Sequence, residues 1–166
     1  MKKLKFLATT LLIGVLLFAL TACGGVEGTL SDFVNAAKKG DFEKAATYVV
    51  GDFDWDDMVV NNDDSVYKYI LSKTVGDFEY KVEESNMNSE ETTCTVKISY
   101  SFHSSGTVWS IYTGINAERS KKTVDLLLKD LDKAEGETTV VLEKNEEGKW
   151  LVNLESAASL IALIYM

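Results

Sequence analysis

The sequence predicts an α+β domain: N-terminal helices packed on an antiparallel sheet, a helical insertion between strands, and a short C-terminal helix. Three observations carry this. Apolar residues recur with the period of a helix from Leu30 to Leu71. From Asp77 to His103 the period becomes two, as in half-buried strands. The eleven-residue tail from Ser156 to Met166 then returns to a helical stripe. Helices and strands segregated in this way make layers in which the helices cover one sheet face.

The first helix is expected to start at Thr29, whose spacing to Asp32 resembles a capping box. Leu30, Phe33, Val34 and Ala37 fall at i, i+3, i+4 and i+7, one apolar face. Gly40 can stop that helix and Asp41 can cap a second, with Phe42, Ala45, Ala46 and Val49 on its stripe. Asp64 caps a third helix with Val66, Tyr67, Ile70 and Leu71 inward. Gly-Asp-Phe recurs at 40–42, 51–53 and 76–78 with unequal spacing, so it punctuates elements and is not a repeat array.

In the strand region Phe78, Tyr80 and Val82 alternate with Glu79, Lys81 and Glu83. After a turn near 86–89, Cys94, Val96, Ile98, Tyr100 and Phe102 alternate with polar residues. This phase puts Cys94 in the core and His103, the single histidine, on the outer surface at a strand end. Thr107 to Thr113 has strand-like composition, yet Val108, Ile111, Tyr112 and Ile115 fit a helix stripe. Val124, Leu127, Leu128 and Leu131 mark a clearer helix from about Arg119 to Ala134. The two stripes point to nearly opposite sides, so two helices with a break near 114–116 are the favoured reading. Thr138 to Lys144 and Lys149 to Leu154 are expected as a hairpin, with Trp150, Val152 and Leu154 on one face. In the tail Ala157, Leu160, Ile161 and Ile164 form the apolar stripe of a docked helix.

Ahead of these elements, Lys2, Lys3 and Lys5 precede a fifteen-residue apolar run from Phe6 to Leu20. That run spans only ~23 Å as a helix, short of a hydrocarbon core of ~30 Å, so a secretory leader is favoured over a membrane span. Leu20-Thr21-Ala22-Cys23 resembles the bacterial lipobox. The resemblance implies diacylglycerol on the Cys23 thiol and cleavage after Ala22, leaving Cys23 as the mature N-terminus. The expected organisation is a signal peptide over 1–22, a lipid-anchored tether over 23–28 and one domain over 29–166. The expected location is the extracytoplasmic face of the cell membrane.

Without residues 1–22 the chain has 14 Lys and Arg against 26 Asp and Glu, a net charge of −12. This argues against nucleic acid as a partner and against a surface lying flat on anionic lipid. Acylation of Cys23 would leave Cys94 as the one thiol, with no internal disulfide and no cysteine metal cluster. Asp52, Asp54, Asp56 and Asp63 match ligand positions of an EF-hand loop. However, the position that needs glycine is Asp57 and the last ligand lacks the longer Glu side chain. A solvated acidic loop is the favoured reading, with calcium as the alternative.

The Gly40-Asp41-Phe42-Glu43-Lys44-Ala45 joint, the insertion after the second strand and the hairpin Lys144-Asn145-Glu146-Glu147-Gly148-Lys149-Trp150 together carry a further resemblance. The chain is similar to small lipid-anchored proteins of Gram-positive bacteria with a nuclear transport factor 2-like, or cystatin-like, domain. That resemblance implies a curved, cone-like sheet and often a pocket, used in some members for enolisation or dehydration and in others only for binding. Tyr48, Trp55, Tyr67, Tyr100 and Trp150 are the candidates to line it. The inward strand positions carry no Asp or Glu to act as a base. The sequence therefore favours a non-enzymatic binding or envelope-interaction module without a cofactor, taking an envelope protein or a small apolar ligand. An isomerase or dehydratase using a pocket carboxylate is the alternative.

Overall fold

A single apolar stripe sets the position of the first helix. The computed structural model describes residues 25–51, 64–115 and 120–165, and α1 covers residues 25–38. Val26, Leu30, Phe33 and Ala37 are all fully buried along it. The stripe thus begins one turn before Thr29, and the stretch 25–28 expected as tether is helical. Gly25 and Gly28 each weaken a helix by about 1 kcal/mol relative to Ala. Burial of Val26, worth roughly 1.5–3 kcal/mol, offsets that. Thr29 is therefore not the cap; its hydroxyl donates to the Trp150 carbonyl at 3.3 Å.

Gly40 closes α1 at φ 68°, a left-handed conformation, and Asp41 N–H returns to the Ala36 carbonyl at 3.1 Å. Helix α2 (Phe42–Ala46) follows, capped by Asp41. Val49 lies past its end, in a parallel bridge to Val152. Helix α3 (Ser65–Asp77) starts where expected, with the Asp64 carboxylate accepting from Val66 N–H at 2.7 Å and Tyr67 N–H at 3.0 Å.

Strands β1 (Glu79–Met87) and β2 (Thr93–Phe102) come next, then α4 (Ser105–Gly114), α5 (Lys121–Asp130), β3 (Ala134–Lys144), β4 (Trp150–Val152) and α6 (Leu154–Tyr165). The sheet order is β1-β2-β3-β4, antiparallel throughout. The fold is α+β, with a helical insertion between β2 and β3 and a C-terminal helix. Segment 107–113 is helical within α4, and the helix ends at Gly114, where the break is expected. Helix α5 is shorter than expected because β3 begins at Ala134, four residues before Thr138. Leu154 opens α6 and is 40% exposed, so it does not share the inner face of Trp150 and Val152. No helix among the described residues is long and apolar enough to cross a membrane.

The main core joins α1 and α6 to the inner face of β2, β3 and β4 through Cys94, Val96, Ile98, Val140, Leu142 and Val152. Cys94 is buried and forms no disulfide among the described residues. A second cluster of Ile70, Val108, Tyr112 and Val124 holds α3, α4 and α5 together. The opposite face of the sheet is polar, as one-sided antiparallel sheets allow.

Gly136 explains how β3 extends so far. Tyr100 is its register partner, and a methyl group there would lie 2.5 Å from the Tyr100 hydroxyl oxygen. The ring covers the glycine and packs at 5.9 Å on Phe102 and 6.4 Å on Phe78. We expect Gly136→Ala to cost about 1–3 kcal/mol through displacement of that ring. Gly28→Ala, which meets nothing within 4 Å on an ordinary helical backbone, should stabilise by about 0.5–1 kcal/mol. Urea titration of both variants measures this; a neutral Gly136→Ala contradicts the packing argument.

Candidate functional site

Two polar features stand at the end of the sheet where α3 hands over to β1. The first is a junction around His103. The strand phase places this residue outward, yet its side chain is only 8% exposed. Nδ1 lies 3.0 Å from Asp77 Oδ2, and Nε2 donates to the Leu131 carbonyl at 3.1 Å. The surface expectation is thereby corrected: Asp77 at the end of α3 and the segment after α5 close over the ring. Lys133 donates from above to the Asp77 carbonyl at 3.3 Å, and Lys38 donates to the Phe78 carbonyl at 2.6 Å. The last turn of α3 carries no basic residue. Lysines from α1 and from the approach to β3 supply the positive charge favoured at a helix C-terminus.

The second feature is an open groove of about 790 Å³ across the polar face. Register makes it. Glu79 aligns with Ser101 and Glu135, and Lys81 with Ser99 and Glu137. Glu79 and Lys81 on β1 and Glu135 and Glu137 on β3 are the banks, Ser99 and Ser101 lie between them, and Tyr80, Tyr100 and Gly136 complete the lining. Lys97 bonds Glu137 at 2.7 Å and Lys133 meets Glu79 at 3.3 Å. Glu83 accepts from the Ser99 hydroxyl at 2.7 Å and from Lys81 at 3.0 Å. Those contacts, Ser99 first, hold the Glu83 carboxyl below the usual glutamate range, and the Glu137 hydrogen bond raises Lys97 above its own. On the inner face, burial pushes the Tyr80 phenol up, against a hydrogen bond with Ser31.

The described residues among those singled out in the sequence lie in different parts of the fold. Of these, Tyr100 alone lines the groove. Trp150 is core, with the Lys144 ammonium 4.9 Å over its ring. Tyr48 is half-buried, with Lys149 5.5 Å over it. Tyr67 meets Trp109 edge-on at 5.3 Å, beside the second cluster. Trp55, the acidic residues Asp52, Asp54, Asp56 and Asp63, and the processing pair Ala22 and Cys23 lie outside the described residues. Among the described residues no Asp or Glu is buried, and no group of three or more His, Cys, Asp or Glu is placed to hold a metal.

In the sequence Glu79, Lys81, Ser99 and Ser101 read only as outward strand positions, and Glu135 to Glu137 fall ahead of the strand expected from Thr138. Their alignment depends on pairing register, which alternation alone does not fix.

The sequence matches no family model and no curated protein. Among solved structures, the chain is similar to a candidate polyketide cyclase from Xanthomonas campestris pv. campestris. Identity is 8%, the match covers 82% of this chain and 98% of that chain, and the TM-score is 0.34. The site is accordingly defined by its own geometry.

A depressed carboxyl contributes its interaction above the unfolded value and loses it as pH falls through the folded one. The Ser99–Glu83–Lys81 cluster should therefore persist at neutral pH and come apart only below the ordinary glutamate range. Carboxyl-carbon NMR titration should find the Glu83 midpoint below the ordinary glutamate range, and Ser99→Ala should raise it. A midpoint inside that range and unmoved by Ser99→Ala would contradict the cluster.

Proposed function

We propose that the chain is an extracytoplasmic lipoprotein whose α+β domain acts as a binding module held at the membrane by acyl lipid on Cys23. The observation that carries this is the seam Leu20-Thr21-Ala22-Cys23, at the end of a basic and then apolar leader. Acylation with two chains holds a protein firmly where one gives only marginal binding. The resemblance to lipid-anchored nuclear transport factor 2-like proteins points the same way.

Binding is favoured over catalysis by what the titratable groups already do. Both His103 nitrogens are committed to Asp77 and Leu131, which makes the ring a structural tie. Tyr100 faces Gly136 and two phenylalanines, not a carboxylate. An enolising base would instead need a carboxyl in an apolar site, where burial raises its pKa. The groove has charged banks, serines and an open mouth, which suit a polar envelope protein better than a small apolar ligand.

Cys23→Ala should abolish radiolabelled fatty-acid incorporation and leave an unprocessed precursor. Detergent-phase partitioning and normal maturation in that variant would exclude the anchor. For the module, a photo-crosslinking residue at Ser101 should capture a recurring envelope protein, and Glu79→Lys with Glu135→Lys should abolish that capture. An unchanged capture pattern would exclude the groove as the binding surface.

A further inference from the structure

The start of α1 fixes which part of the domain meets the bilayer. This inference rests on the anchor reading above and goes beyond it. Between Cys23 and Gly25, the first described residue, there is a single residue. Two peptide steps reach at most ~7 Å, against the ~18 Å that a tether running to Gly28 would allow. Gly25 is packed against β4: a methyl there would lie 3.2 Å from Trp150 Cδ1. One turn on, Thr29 bonds the Trp150 carbonyl. The site of acylation is thereby confined to the end of the sheet where Trp150 pairs with Lys144.

Two turns share that end. Asn145 closes the β3–β4 turn by accepting from Glu147 and Lys149 N–H. Asn88 closes the β1–β2 turn by accepting from Thr92 and Thr93 N–H, and Lys144 N–H reaches the Thr92 carbonyl at 2.8 Å. The groove lies at the other end of the same strands. From Lys144 back to Gly136 is eight residues of β3, or ~27 Å at the antiparallel rise.

We propose that the pole formed by the start of α1 and these two turns is the surface apposed to lipid headgroups, so that the groove faces away from the bilayer. The occupant of this surface is the headgroup layer of the membrane that holds the acyl chains. Contact is imposed by the short connection, not by charge. Lys144 and Lys149 at this pole are outnumbered by Glu27, Glu90, Glu91, Glu146 and Glu147. The separate domain therefore has no electrostatic reason to bind an anionic membrane.

The test uses the mature lipidated protein in phosphatidylcholine vesicles. Nitroxide labels are placed through Glu146→Cys at the β3–β4 turn and Glu135→Cys at the groove, with Cys94 buried. A lipid-borne nickel chelate should relax the label at 146 several-fold more than the label at 135. Inserting a flexible spacer of about ten residues after Gly24 should erase that difference while the protein still floats with vesicles. Failure of the unmodified protein to float would overturn the anchor reading and this proposal with it. Flotation with equal relaxation at both labels, or with the order reversed, would overturn the orientation and leave the anchor standing. A difference that survives the spacer would also overturn it, because the short connection would not be the cause.

Discussion

The burial of one helix face against the sheet is the contact on which the other parts depend. Helix α1 is tied down along its whole length. Its first turn packs on Trp150, its stripe fills the inner face, and its last turn is reached by the Tyr165 hydroxyl at 2.8 Å through the Ala37 carbonyl. Lys38 then spans to the Phe78 carbonyl. Val26, Leu30, Phe33 and Val34, at roughly 1.5–3 kcal/mol each, make this face a large share of a marginal total. The same stripe relates β4, where α1 begins, to the α3–β1 junction, where it ends.

Patterns that depend on neighbours within a few residues were readable in the sequence. The alternation from Phe78 to Phe102 gave the correct inner face of β1 and β2, including Cys94. Asp64 as a cap, the helical insertion and the docked α6 also followed from local spacing. What escaped depends on partners far along the chain. His103 is buried by Asp77 and Leu131, which lie 26 and 28 residues away. Val26 extends α1 through glycines because the core that receives it is made by β4 and α6. In both cases tertiary packing outweighs a local preference of about 1 kcal/mol.

The candidate site illustrates the same limit in another form. Each residue of its banks is an ordinary polar residue on a strand, and alternation identifies it only as facing outward. A groove arises because Ser99 and Ser101 on the middle strand are short, while their cross-strand partners Glu79, Lys81, Glu135 and Glu137 are long. Side-chain length across three paired strands, not any motif, gives the shape. Of the aromatic candidates that are described, Trp150 is core, Tyr48 carries a lysine over its ring, Tyr67 packs on Trp109, and Tyr100 both covers a glycine and lines the groove.

The outer edge of β1 has a further consequence. Among the described residues β1 is an end strand of the sheet, and the outer edge of a nine-residue strand is a template on which a second copy could add. The register shift between Val82 and Glu84 interrupts that template near its middle, and Glu79, Lys81, Glu83 and Glu84 line it with charge. A neighbouring molecule thus finds neither a straight ladder nor a neutral edge. The irregular, charged edge works against addition of one strand to another.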